Sequence, residues 1–176
     1  MEQSAQHQGV IFFRSAVGWL RVLWNGEGLC CGVEFYGDTR PETMPRTKPP
    51  AKVLRVILAL EAYFSEKKPV SKMLWESLDE HEWSKFQKRV FWAVFRIPFG
   101  ETRTYGEIAK LLGLPLAGRA VGNALGQNPY PIVIPCHRVT GAKAIGGFMG
   151  KASARSREVG IKAALLTHEG FKKWKK

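Results

Sequence analysis

Thr104-Tyr105-Gly106-Glu107-Ile108-Ala109-Lys110-Leu111-Leu112-Gly113-Leu114-Pro115-Leu116-Ala117-Gly118-Arg119-Ala120-Val121-Gly122-Asn123-Ala124-Leu125 decides the architecture of the C-terminal half. Thr104 and Glu107 have the spacing of a capping box, in which the hydroxyl accepts from the helix start and the carboxylate reaches back, so a short helix is expected over 105–112. Gly113 ends it, Leu114-Pro115 makes a tight turn, and a second helix is expected over 116–125 before Gly126-Gln127-Asn128-Pro129 stops it. Two short helices around a tight turn read as a helix-turn-helix. The second is built from Ala117, Gly118, Ala120, Gly122 and Ala124 around a single Arg119. Glycine costs about 1 kcal/mol relative to alanine inside a helix, so two of them need a reason. Either the backbone closely approaches an external groove, or the helix crosses a neighbour tightly in the core.

Outward from this pair, residues 83–97 place Phe86, Val90, Phe91, Val94 and Phe95 on one stripe, the pattern of a buried amphipathic helix that stops at Pro98-Phe99-Gly100. The N-terminal half reads differently. Residues 10–13, 19–24 and 30–36 are β-rich runs separated by the turn signals Val17-Gly18 and Asn25-Gly26, an antiparallel meander with its strongest hairpin signal at Asn25-Gly26. Four prolines make residues 39–50 a loop. Val53, Leu54, Ile57, Leu60 and Phe64 then give residues 51–64 a helical period, and a short strand is expected near Met73-Leu74-Trp75. The chain of 176 residues is therefore expected to form two domains, 1–80 an α/β unit of a small sheet plus a helix, and 81–176 a mostly α unit.

Composition bounds the function. With 45% apolar and 24% charged residues the chain is that of a folded protein. Its start, Met1-Glu2-Gln3, lacks a secretory pattern, and the most apolar run, 53–60, is broken by Arg55, so neither export nor membrane insertion is expected. Cys30, Cys31 and Cys136 cannot all pair, and sequence neighbours pair poorly, so a reducing intracellular setting fits, cytoplasmic or nuclear. Adjacent Cys30 and Cys31 lack chelate spacing; with only His7 and His81 to assist, no metal is expected. The net charge of +12 is lopsided: residues 1–80 hold 10 Lys+Arg and 10 Asp+Glu, residues 81–176 hold 17 and 5. The second half is the one that suits a polyanion, unless the excess serves solubility or a solvated tail at 171–176.

The reactive candidate lies in Pro129-Tyr130-Pro131-Ile132-Val133-Ile134-Pro135-Cys136-His137-Arg138-Val139, a proline-punctuated apolar segment. A free thiol with a pKa near 8.5 is about 3% thiolate at neutral pH, so a nucleophilic cysteine needs a base or a positive field. His137 is the nearest candidate. Neighbours on an extended strand point to opposite faces, so the chain must turn at Cys136 or a water must bridge the pair.

The flanking residues give these motifs a family resemblance. Pro98-Phe99-Gly100-Glu101-Thr102, Thr104 to Ala109, Arg119-Ala120-Val121-Gly122, Asn128-Pro129, Pro135 to Val139 and Leu165-Leu166-Thr167-His168-Glu169-Gly170 together resemble the O6-alkylguanine-DNA alkyltransferases almost continuously over residues 86–170. The N-terminal half resembles them only in plan, a ribonuclease H-like α/β domain, and the C-terminal half would carry a winged helix-turn-helix-like motif. The resemblance implies a single-turnover repair protein that takes an alkyl group from O6-alkylguanine in duplex DNA onto Cys136, with O4-alkylthymine as a second candidate substrate. It implies a minor-groove contact by Thr104, Tyr105, Ala117, Ala120, Gly122 and Asn123, with Arg119 replacing the extruded base. His137, a water and Glu169 would relay the thiol proton, Asn128 would brace the Cys136 turn, Tyr105 would donate to guanine N3, and the charge of Lys162 would favour the thiolate or the leaving oxygen. Pro131, Val139, Phe148 and Met149 would form the alkyl pocket, the Met149 N–H facing guanine O6 and the Val139 carbonyl the exocyclic amine. No cofactor and a monomer are implied.

Two departures stand out: the loop 140–149 is one residue shorter than is usual in the family, and Phe148 occupies a position commonly held by tyrosine. Two other function classes compete. A lesion sensor similar to the alkyltransferase-like proteins would lack the acceptor cysteine, which this chain retains. An ordinary helix-turn-helix regulator would bind alkylated and plain duplexes equally.

Overall fold

A computed structural model describes residues 7–45 and 47–171; the end of the basic tail, 172–176, lies outside the described residues. The chain divides into two compact units, Met1–His81 and Glu82–Lys176. Among the described residues it is a mixed α/β protein with a small antiparallel sheet and five α-helices.

In the first unit, β1 (Gly9–Ser15), β2 (Gly18–Trp24) and β3 (Cys30–Gly37) form a meander in that order. The two-residue connection falls between Ser15 and Gly18, which pair directly. The hairpin expected at Asn25-Gly26 forms between β2 and β3, with its loop over residues 25–29. The Asn25 carboxamide oxygen accepts from the N–H groups of Glu27 and Leu29 at 3.0 and 3.1 Å, which widens the loop, and Gly28 supplies the left-handed residue at φ 72°. Leu20, Val22 and Val33 are buried in the sheet, and α1 (Ala51–Glu66) packs on β2 and β3. Its buried stripe is Val53, Val56, Ile57, Leu60 and Tyr63. The stripe is rotated from the expected one: Leu54 is exposed, and Tyr63 rather than Phe64 is fully buried.

The expected strand near Met73-Leu74-Trp75 is instead a 3-10 helix, Lys72–Ser77. The Ser71 hydroxyl accepts from the Met73 N–H at 3.3 Å and the Ser71 carbonyl from Leu74 at 3.1 Å, so a local cap outcompetes strand pairing. Burial there follows Leu74, Ser77 and Leu78, a turn-like spacing rather than alternation.

The second unit opens with α2 (Lys85–Phe95). It begins two residues later than the expected start at 83, because Ser84 caps it: Ser84 Oγ accepts from the Gln87 N–H, and the Gln87 side chain accepts from the Ser84 N–H. Trp83 is left to pack edge-on against Phe91 and Tyr130. β4 (Arg103–Thr104) leads into α3 (Tyr105–Leu111), capped by Thr104 and Glu107, and α4 (Gly118–Gly126) follows the turn. α4 starts at Gly118 rather than 116, since Leu116 is 99% exposed and Ala117 closes the turn by donating to the Leu114 carbonyl. β5 (Val139–Thr140) pairs in parallel with β4, and α5 (Arg157–His168), capped by Ser156, completes the unit. Among the described residues no helix is long and apolar enough to cross a membrane.

Of the two readings of the small-residue helix, internal packing is the weaker. A Cβ added at Gly118 or Gly122 would meet its nearest internal neighbours at 3.8 and 3.7 Å, ordinary contact distances, while Arg119 and Ala120 are exposed. The crossing with α3 does not require glycine at either position.

Candidate active site

The segment before Cys136 is held by hydrogen bonds rather than by sheet. The Ile134 N–H donates to the Tyr130 carbonyl at 2.8 Å, and between them the fully buried Ile132 sits at φ 75°, a left-handed value that a β-branched side chain adopts only under constraint. Cys136–Arg138 then forms one 3-10 turn. The chain thus does turn at Cys136, so that Cys136 and His137 are no longer opposed as they would be on a strand.

Asn128 organises this turn. Its Nδ2 donates to the Ile134 carbonyl at 2.9 Å and to Cys136 Sγ at 3.1 Å, while its Oδ1 accepts from the Tyr130 N–H at 3.0 Å. Burial pushes the Cys136 thiol above its ordinary value; the Asn128 hydrogen bond, the Lys162 charge and the N–H groups of Cys136 and His137 oppose that push. The thiol therefore rests protonated in a surrounding arranged to accept a thiolate.

His137 is fully buried, and its Nε2 lies 2.7 Å from Glu169 Oε1. Burial lowers the imidazole pKa despite the carboxylate, so the ring is neutral. A carboxylate can only accept, so the ring proton sits on Nε2 and Nδ1 carries the basic lone pair. Burial alone would raise the Glu169 carboxyl, but hydrogen bonds from His137 and Arg138 outweigh it and hold the group well below the usual carboxylate range. Arg138 Nε lies 3.1 and 2.8 Å from the two Glu169 oxygens and its Nη2 2.9 Å from Oε1, while Nη1 donates to the Ile97 carbonyl at 2.7 Å. Gly100 N–H donates to Glu169 Oε2 at 2.9 Å.

Fully buried Lys162 donates from Nζ to the carbonyls of Val139 at 2.6 Å and Gly147 at 2.8 Å. Burial lowers its pKa to about 8. The Tyr105 hydroxyl donates to the same Gly147 carbonyl at 3.1 Å, and burial, then the Cys136 charge, raises its pKa to about 12. The β4–β5 pairing places Tyr105, the residue after β4, beside the Cys136 turn, which ends in β5. Gly146, at φ 76°, lies where an added Cβ would come within 3.0 Å of the Tyr105 ring, so only glycine allows the loop to pass. Phe148 and Lys151 then exchange backbone hydrogen bonds around Met149 (φ 48°) and Gly150 (φ 74°), a two-residue turn of the type I′ class.

A cavity of about 770 Å³ opens in this unit, lined among others by Tyr105, Arg119, Gly122, Asn123, Cys136, Phe148 and Met149. Asn128, His137, Glu169 and Lys162 are buried around the thiol. Thr104 and Ala117 are the cap residues of α3 and α4, and Ala120 is exposed on α4. Pro131 and Val139 are buried and do not line the cavity; the Val139 carbonyl is engaged by Lys162. Sequence reading gave no role to Arg138, Gly100 or the Gly147 carbonyl. The signal available for Arg138 was a cation inside an otherwise apolar run. Among the described residues no group of three or more His, Cys, Asp or Glu gathers as a metal site.

Fold and site together define a class: an α/β unit followed by a helical unit in which a buried cysteine, with a His–Glu pair beside it, opens onto a cavity walled by a small-residue helix. Residues 85–171 match the family model described as 6-O-methylguanine DNA methyltransferase, DNA binding domain. The methylated-DNA–protein-cysteine methyltransferase of Cricetulus griseus is 32% identical over 90% of this chain and 80% of its own length. That of Methanosarcina acetivorans is 51% identical over 51% of this chain and 53% of its own. A crystal structure of the Mycobacterium tuberculosis O6-methylguanine methyltransferase superposes with a TM-score of 0.67 at 34% identity, covering 92% of this chain and 93% of that one. The same bacterium's enzyme in complex with DNA gives 0.69 at 33% identity, with 91% of each chain covered. This chain belongs to the methylated-DNA–protein-cysteine methyltransferase family. It spans about half the length of the archaeal relative and of the Mycobacterium bovis one, at 53% and 47%.

Proposed function

We propose that this protein repairs O6-alkylguanine in duplex DNA by moving the alkyl group irreversibly onto Cys136. The observation that carries the reading is the buried Cys136 Sγ, 3.1 Å from Asn128 Nδ2, in the wall of a cavity that Arg119 and Tyr105 also line. The small-residue face of α4 lies against the minor groove, with Thr104, Ala117, Ala120, Gly122 and Asn123 at the backbone, and Arg119 fills the space left by the flipped base. Flipping costs a few kcal/mol, which the inserted side chain and the cavity contacts offset.

The thiol proton passes through a bridging water to His137 Nδ1, and the imidazolium so formed is stabilised by Glu169, itself fixed by Arg138 and Gly100. The thiolate attacks the alkyl carbon in line; an S–C bond forms as the C–O6 bond breaks. Tyr105 turns from the Gly147 carbonyl and passes its hydroxyl proton to guanine N3, so the purine leaves neutral and a tyrosinate remains. Lys162 keeps the Val139 and Gly147 carbonyls in place and its charge favours the thiolate. The Met149 N–H faces the departing oxygen, while Phe148 bounds the alkyl space. Nothing regenerates the thiol, so one chain repairs one base.

Under this reading the first unit is a ribonuclease H-like support and the second carries a winged helix-turn-helix. The chain works as a monomer in the compartment that holds DNA and needs no cofactor or metal. Labelled O6-methylguanine duplex tests the reaction: label should pass to wild type and not to Cys136→Ala. Lesion binding without label transfer would instead mark a sensor.

A further inference from the structure

The second unit contains another groove, of about 700 Å³, between α2 and α3. Arg89, Trp92 and Arg96 line it from α2 and its C-terminal end, Arg103, Glu107 and Leu111 from the β4–α3 segment. Nothing in the alkyl-transfer reading uses these residues.

Its chemistry is that of an anion site with an aromatic ledge. Residues 85–96 hold Lys85, Lys88, Arg89 and Arg96 and no acid. Of the described residues lining the groove, Glu107 is the sole carboxylate, and Thr104 engages it through both its N–H and its hydroxyl; beside the groove, Arg103 Nη2 donates to Glu101 Oε2 at 3.0 Å, an exposed pair with which a phosphate would compete. Arg89 donates through Nη2 to the Leu112 carbonyl at 2.7 Å, which fixes its planar fork. Trp92 is 44% exposed, with its ring stacked against Phe95 at 6.0 Å and 27°. Exposed indole beside guanidinium groups suits a base stacked on the ring with phosphates on the arginines. The groove also lies near the proposed DNA-contact face, because Arg103 immediately precedes Thr104 and Tyr105, and seven-residue α3 is only about 10 Å long.

We propose that the α2–α3 groove is a second nucleic-acid subsite, which takes a single strand with its phosphates on Arg89, Arg96 and Arg103 and a base on Trp92. The proposal rests on the DNA-repair reading for its nearness to the α3–α4 face, and on charge and the exposed indole for its ligand.

The test is fluorescence anisotropy of a labelled single-stranded oligodeoxynucleotide of about ten nucleotides, using the full chain and a salt titration. The variant carrying Arg96→Glu and Trp92→Ala should bind about tenfold more weakly or worse, with a salt slope smaller by about 0.7 for the lost phosphate contact. Trp92→Phe, which keeps a ring on the ledge, should bind more tightly than Trp92→Ala; thermal unfolding checks that each variant is folded. Unchanged affinity and slope in the double variant would overturn the subsite. So would displacement of the oligonucleotide by polyglutamate at equal charge concentration, which would assign the groove to acidic peptides. Label transfer by the wild-type chain is measured alongside. A groove effect without transfer would fail the repair reading and keep the subsite, and transfer without a groove effect would do the reverse.

Discussion

His137 Nε2 lies 2.7 Å from Glu169 Oε1, with the histidine at 0% and the glutamate side chain at 1% solvent exposure. The pair fixes which ring nitrogen is basic. Glu169→Gln can present an amide N–H to the ring and so favour the wrong tautomer. Transfer to Cys136 should slow by about 100-fold or more, the usual span of a general-base contribution. Single-turnover kinetics with alkylated duplex measures it; a rate within a factor of two of wild type would remove Glu169 from the relay.

The same pair makes stability fall in acid. Both groups have folded pKa values below their unfolded ones, His137 through burial and Glu169 through its hydrogen bonds, which outweigh its burial. At low pH the unfolded chain therefore binds more protons than the folded one. Stability from His137 is complete above about pH 6.5 and that from Glu169 above about pH 4.3, and each is lost as pH falls further. Denaturant unfolding free energy should decline from pH 7 to pH 4 and more steeply below. Glu169→Ala leaves the Arg138 guanidinium without its carboxylate, so it should cost about 3–5 kcal/mol at pH 7 and flatten the steep acid limb. An unaltered limb in the variant would contradict this origin.

Asn128→Leu keeps approximate volume and removes three hydrogen bonds. The Ile134 carbonyl and the Tyr130 N–H are left buried without Asn128, so a loss of about 2–4 kcal/mol in unfolding free energy is expected. Removing the Nδ2 donor also takes away one of the groups that hold the thiol pKa down. The transfer rate should rise at higher pH than in wild type. A lower rate with an unmoved pH profile would make Asn128 purely structural.

Arg119 is exposed and lines the cavity from α4. If it replaces the extruded base, Arg119→Ala should lower the ratio of duplex to free-base reaction rates by about tenfold or more, since a few kcal/mol of flipping is then uncompensated. Parallel assays on alkylated duplex and free O6-benzylguanine give this ratio. Equal losses on both substrates would show that Arg119 acts on chemistry rather than on flipping.

Much of this site was legible because it is local. The Thr104–Glu107 capping box, the small residues of α4 and the proline-punctuated run into Cys136 are contiguous patterns, and each forms where it stands in sequence. What escaped was set by distant partners or by competition between short-range bonds. Arg138 acts through Glu169, 31 positions away, and the Gly147 carbonyl through Tyr105 and Lys162, on two other elements. No periodicity encodes such pairs. The 3-10 helix Lys72–Ser77 and the wide Asn25 loop turned on one hydroxyl and one carboxamide bonding their own backbone. Tertiary burial chose Tyr63 over Phe64, which single-sequence periodicity does not resolve.

Intact-mass spectrometry after incubation with excess O6-methylguanine duplex reads the transfer itself. Every active chain should gain the mass of one methyl group in place of one hydrogen, peptide mapping should put it on Cys136, the gain should stop at one, and Cys136→Ala should gain nothing. No mass gain in wild type, or the same gain in Cys136→Ala, would contradict transfer to Cys136.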